Sequence, residues 1–268
     1  MRVVAPAKVT VSLHVTGVRS DGMHEIDAIA VVVDDLYDTL LIEPGATWLR
    51  VDPAGAAPAG TDNLVLKALE YLGVSARIEL LKTIPTQAGL GGGSADAAAV
   101  LRALGTNEAP AALHEIATSL GSDVPICLQS RPTRMLGVGD VLEPLTPCAP
   151  LHLVIATPRF GCATPAVYRA WDELDGPVSD RVIAAPTGWT AHCAEFRNDL
   201  EPAAIRVQPQ LRAFRESFAR IVHREPMLCG SGSSYCVWFD SRAEADAAAD
   251  AVTQAGLDAR MVCAASSR

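Results

Sequence analysis

The chain has 268 residues, of which 49% are hydrophobic and 20% charged, with a formal net charge of −9. That composition fits a soluble globular protein with one large or two modest cores, and it excludes a disordered or fibrous chain. The acidic balance argues against a nucleic-acid surface, and the lack of an 18-residue apolar run argues against a membrane span.

Residues 2–16 alternate with period two. Val9, Val11, Leu13 and Val15 stand against Thr10, Ser12, His14 and Thr16, which predicts a half-buried strand. Lys8 sits in this otherwise apolar run. The segment 17–22 is turn chemistry, and 26–33 reads as a second strand. Residues 38–43 and 47–51 read as a hairpin around Pro44-Gly45. A helix is expected from about Asn63 to Leu72, capped by Thr61, and a strand over 76–82.

Then comes Pro85-Thr86-Gln87-Ala88-Gly89-Leu90-Gly91-Gly92-Gly93-Ser94-Ala95-Asp96, running into an alanine-rich helix with Ser94 as the expected N-cap. Glycine lets the backbone approach a ligand closely and take positive φ. A helix N-terminus fed by such a loop is an anion cradle, here read as a site for the phosphate tail of a nucleotide. The spacing is that of neither a Walker A loop nor a G-x-G-x-x-G fingerprint. The alternative is a glycine-rich turn that caps a core helix.

Residues 110–120 predict a helix stopped by Gly121. Asp123, two residues before Pro125, reads either as the N-cap of a short helix or as a general base toward a substrate hydroxyl. Gly137-Val138-Gly139-Asp140 reads as a turn between short strands. A domain boundary is expected near 144–150, which gives domains 1–147 and 148–268. A strand over 151–156 and a helix over 165–174 follow, then a loop or short helix over 177–189. Helices are expected over 199–205, 209–219 and 242–255, with strands over 235–239 and 259–264. Cys229-Gly230-Ser231-Gly232-Ser233-Ser234 is a second glycine-serine loop. Strands and helices without strict alternation predict an α+β protein in two domains. Seven cysteines without a C-x-x-C pair, and a charged N-terminal stretch unlike a signal peptide, point to the cytoplasm.

Six motifs occur in order: Lys8 in A-P-A-K, Asp21-Gly22-x-His24-Glu25, the 85–96 loop, Gly121-x-Asp123-Val124-Pro125, Phe196-x-Asn198-Asp199 and Gly230-Ser231-Gly232-Ser233. This pattern resembles the GHMP kinase superfamily over nearly the whole chain. D-G-x-H-E and F-x-N-D are similar to its subgroup that phosphorylates a cytidine-diphospho sugar alcohol in isoprenoid precursor synthesis. Other members of the superfamily act on homoserine, mevalonate-like acids or sugars.

The resemblance implies a ribosomal-protein-S5-like N-terminal domain and a GHMP C-terminal domain, with ATP, Mg²⁺ and substrate in the cleft between. It makes Asp123 the base and Lys8 its neighbour. Pro85, Gly89, Leu90, Gly91, Gly92, Gly93 and Ser94 would hold the ATP phosphates, with Asn63 near the nucleotide and Ser94 a candidate Mg²⁺ ligand. His24 would hydrogen-bond the cytosine and Phe196 would stack on it. Gly230, Ser231, Gly232 and Ser233 would close over the substrate. The expected assembly is a monomer or homodimer.

The chain departs from the subgroup at three places. Met23 replaces a tyrosine, Thr10 replaces an asparagine, and 129–133 lacks a Gly-Gly pair. These positions are expected to line the substrate pocket. Arg131 and Arg134 read as solvated surface residues, with contact to a substrate phosphate as the alternative.

Overall fold

The computed structural model describes residues 1–145, 151–179 and 196–264. The expected boundary at 144–150 and the loop at 177–189 lie largely outside these. The chain divides into two compact units. One comprises residues 1–8, 32–86 and 91–131, the other residues 9–31, 87–90 and 132–268.

Two long strands serve both units. They are β1 (Arg2–Val18) and β2 (His24–Pro44), which pair with each other. In the first unit the later part of β2 pairs antiparallel with β4 (Ala76–Leu81), Thr39 opposite Leu81. The strand β3 (Trp48–Asp52) runs parallel to β4, Trp48 opposite Arg77. The expected 38–51 hairpin is therefore corrected. The alternating strand β4, with Ala76, Ile78 and Leu80 buried, takes the place between β2 and β3. A distant apolar strand supplies more burial there than the local turn does.

Three helices pack on α2 (Gly92–Leu104): α1 (Leu64–Leu72), α3 (Pro110–Leu120) and α4 (Val124–Gln129). Residues 95–101 of α2 are all buried, as expected of a helix that is apolar on every side. Their small side chains let its neighbours come close.

In the second unit the hairpin of β5 (Thr133–Leu136) and β6 (Val141–Pro144) pairs with the start of β2, Ala28 opposite Met135. Beyond β2 the same sheet continues through β10 (Ala259–Ala264), β7 (Leu151–Ala156), β9 (Tyr235–Phe239) and β8 (Met227–Leu228), with β7 antiparallel to both β10 and β9 and β8 antiparallel to β9. The helices are α5 (Thr164–Glu173), α6 (Glu201–Val207), α7 (Gln210–Val222) and α8 (Arg242–Gln254). The fold is α+β. Among the described residues no helix is long and apolar enough to cross a membrane.

Candidate active site

In the first unit Lys8 projects from β1 and is 5% exposed. Its Nζ lies 2.9 Å from Oδ2 of Asp123. Asp123 stands at the N-cap position of α4, as one reading of the sequence had it, yet its side chain makes no capping bond. Pro125 in the first turn removes one backbone donor that a cap would otherwise serve. The carboxylate is therefore turned to Lys8, with a third of it open to solvent.

The glycine-rich turn closes on the same lysine. A β-carbon at Gly91 would stand within 2.7 Å of the Lys8 side chain, and Gly91 has φ +67°. Gly91, not Ser94, caps α2, and no side chain caps it. The first-turn N–H groups of this helix are thus left for another acceptor. Gly93 in that turn is exposed, and a β-carbon there would meet only Leu64, at 3.8 Å. Internal packing does not require glycine at 93. Ser94 is half-buried two residues after Gly92. Segments near residues 8, 91 and 123 therefore converge.

Asn63, not Thr61, is the N-cap of α1. Its Oδ1 accepts from the Val65 amide at 2.9 Å, and its Nδ2 donates to the Pro58 carbonyl. Pro85 is half-buried just before the turn. Beneath α2 lies a group that the sequence reading missed. Lys82 Nζ donates to Asp38 and, at 2.7 Å, to Asp96 Oδ2, all three side chains being buried. Asp38 Oδ1 also accepts from the Ile84 amide at 2.8 Å. Nζ would lie 3.2 Å from a β-carbon at Gly92, directly under the first turn. Burial and then the neighbouring Asp38 push the Asp96 carboxyl up to about 7, against the pull of Lys82. Burial opposes the Lys82 charge, but the two carboxylates outweigh it and raise its affinity for the proton. The signal was present in sequence: Asp96 is a lone acid among alanines. Cys127, in α4, is pushed up to about 12 by burial, which makes it inert as a nucleophile at neutral pH.

In the second unit Thr10 is buried on β1, Leu90 is a core side chain, and Met23 is half exposed. His24 Nε2 lies 2.7 Å from Asp172 Oδ1. Its ring packs against Tyr168 (centroids 4.7 Å apart) and the edge of Trp171 (5.3 Å). These partners come from α5 and were not foreseen. Gly176 has no room for a side chain because Trp171 covers it. Phe196 is buried and meets Trp238 edge-on, with centroids 5.9 Å apart.

The two glycine loops pack together. A β-carbon at Gly89 would overlap the Cys229 carbonyl, and Ser233 and Ser234 donate backbone N–H bonds to Gln87 and Ala88 at 3.2 and 3.1 Å. Asn198 Nδ2 donates to the carbonyls of Leu228 (2.8 Å) and Gly230 (2.6 Å), while Asp199 Oδ2 accepts from Val15 N at 3.0 Å. The F-x-N-D motif thus braces the second loop and anchors β1. Gly230 and Gly232 both have positive φ. Ser231 Oγ lies 2.8 Å from Thr164 Oγ1. Ser233 Oγ is buried with no hydrogen-bond partner among the described residues, as a polar atom kept for a ligand would be.

The expectation for Arg134 is corrected. It is 8% exposed and binds Asp27 through Nε–Oδ1 and Nη2–Oδ2, both at 2.8 Å. A bidentate buried partner holds it far from bulk solvent.

Residues 63–131 match the family model described as "GHMP kinases N terminal domain". The fold is that of this class of kinase. A 4-diphosphocytidyl-2-C-methyl-D-erythritol kinase of Paracoccus denitrificans is 41% identical over 259 residues, covering 92% of this chain and 90% of its own. Its namesake in Dinoroseobacter shibae is 38% identical over 261 residues, covering 93% and 89%. The crystal structure of a 4-(cytidine 5'-diphospho)-2C-methyl-D-erythritol kinase superposes with TM-score 0.78 at 34% identity over 98% of both chains. The chain belongs to this family of GHMP kinases and shares its two-domain α+β fold.

Proposed function

We propose that the protein transfers the γ-phosphoryl group of ATP to a hydroxyl of 4-diphosphocytidyl-2-C-methyl-D-erythritol. The observation that carries this reading is the 2.9 Å Lys8–Asp123 pair beside an uncapped, glycine-opened helix N-terminus. Phosphoryl transfer asks a protein mainly for positioning and charge neutralisation.

Asp123 accepts the proton of the attacking hydroxyl, and the oxygen bonds to phosphorus as ADP departs. The Lys8 ammonium orients the carboxylate and offsets negative charge at the reacting oxygens. Backbone N–H groups of Gly91 to Ser94 hold the phosphates, with Gly89, Leu90 and Pro85 shaping the turn. Asn63 steadies the neighbouring helix near the nucleotide. Mg²⁺, when bound, neutralises phosphate charge. Among the described residues no cluster of three or more His, Cys, Asp or Glu is arranged to hold a metal, and the Ser94 hydroxyl is the side chain that would help to hold the ion beside the phosphates. His24, Phe196, Met23 and Thr10 contact the cytidine part, and the 230–233 loop covers the acceptor.

The acidic charge of −9 favours an enzyme without a nucleic-acid partner, and it is read here as a cytoplasmic monomer or homodimer. The test is an ADP-release assay with ATP, Mg²⁺ and, in parallel, the cytidine-diphospho alcohol, homoserine and mevalonate. Turnover of the first, well above the others, is expected. Turnover of another alcohol alone would replace the substrate, and turnover of none would remove the kinase reading.

A further inference from the structure

His24 and Asp172 are far apart in sequence yet meet at 2.7 Å. The imidazole side chain is 9% exposed, wedged between Tyr168 and Trp171 on α5, whereas Asp172 is 48% exposed. An ionised carboxylate only accepts hydrogen bonds. The ring nitrogen that faces it, Nε2, must therefore carry a proton. In a neutral imidazole the other nitrogen, Nδ1, is then a lone-pair acceptor. A carboxylate behind a histidine fixes its tautomer in the same way wherever the front nitrogen has work to do. Tyr168 and Trp171 pack on the ring and hold it in this orientation.

We infer that Asp172 is a specificity-determining residue: by holding the proton on Nε2 of His24, it makes Nδ1 an acceptor that selects a base presenting an amine over one presenting a carbonyl. Cytosine presents an exocyclic amine where uracil presents an oxygen. An acceptor facing that position binds the first and repels the second. Without Asp172 the imidazole is free to adopt either tautomer, and the preference is lost. This inference rests on the reading that His24 meets the base of the substrate. Asp172 itself acts through His24.

The experiment uses the full-length wild-type enzyme and two variants, Asp172→Ala and Asp172→Asn. kcat/KM is measured for the cytidine-diphospho alcohol and for its uridine-diphospho counterpart. The cytidine-to-uridine ratio is expected to fall about tenfold or more in Asp172→Ala, chiefly through a higher KM for the cytidine compound. Asp172→Asn, which keeps an acceptor oxygen, is expected to lie between. If the alanine variant does not fold, the asparagine variant decides. Nitrogen-15 spectra of the histidine ring supply a readout that a merely structural role would not move: Nε2–H in the wild type, mixed tautomers in Asp172→Ala. An active wild type with an unchanged ratio in the variants, or with the proton on Nδ1, overturns this proposal alone. A wild type inert toward the cytidine compound removes the functional reading, and the proposal with it.

Discussion

A β-carbon at Gly91 would stand 2.7 Å from Cγ of Lys8 and 3.1 Å from Cε. The turn that opens α2 is therefore pressed against the stem of the lysine that pairs with Asp123. Gly91→Ala forces that stem aside and imposes φ +67° on an L-residue, at a cost of about 1–2 kcal/mol. Turnover is expected to fall by roughly 10²-fold, as for a misplacement of about 1 Å. Gly93→Ala is the contrast. Its β-carbon would make only an ordinary contact with Leu64, at 3.8 Å, in a helix, so stability is expected to hold or rise by up to ~1 kcal/mol, while KM for ATP increases. Steady-state kinetics and thermal melts on both variants check this. Unchanged KM in Gly93→Ala would remove the phosphate-approach explanation for that glycine.

Asp123→Asn should lower kcat by roughly 10²–10⁴. The side chain caps nothing, so any fall in melting temperature comes from the lost charge opposite Lys8. Lys8→Ala should also lose turnover. The two losses are expected to be far from additive, because the residues act as a unit. Near-normal turnover in Asp123→Asn would reassign the base.

Asp96 gives stability a pH dependence of definite sign. Its carboxyl is raised in the folded protein to about 7 from an ordinary 3.8, first by burial. Between those values the folded state holds a proton that the unfolded state has released, so stability from this group falls as pH rises. Its destabilising effect is absent below about pH 4 and complete above about 7. Asp96→Asn removes the titration. Urea melts should therefore show the stability of Asp96→Asn gaining on the wild type from pH 4 to 7. A difference that stays flat over that range would mean that Lys82 dominates and holds Asp96 ionised.

Asn198→Ala strips the brace from the second glycine loop and leaves the Leu228 and Gly230 carbonyls without that donor. A loss of about 1–3 kcal/mol is expected. KM for the acceptor alcohol should rise more than KM for ATP. Equal changes in the two constants would show that the loop does not serve the acceptor.

The chemical core was legible because its residue types are unusual where they stand. A lysine in an apolar strand and a run of glycines before a helix both advertise a ligand. The short-range reading failed where two candidates competed for one cap. Thr61 and Ser94 are good caps by type, but Asn63 and Gly91 hold the positions, since tertiary contacts decide which residue bends. The 38–51 hairpin failed because β4, beyond the next helix, wins the pairing. The Asp38–Lys82–Asp96 group showed in sequence only as one lone acid among alanines, because its carboxylates lie 44 and 14 residues from the lysine. Asp172 was hidden on an ordinary amphipathic helix, and only the fold brings it to His24.

The chain changes units between Lys8 and Val9, Val31 and Val32, Thr86 and Gln87, Leu90 and Gly91, and Arg131 and Pro132. Neither half corresponds to one uninterrupted stretch of gene. No single cut yields a fragment that carries one half whole and nothing of the other, so shuffling by recombination among related kinases must exchange several short blocks at once. During synthesis, the strand segment 9–31 must wait for residues 132–136 before the β5 hairpin can join it.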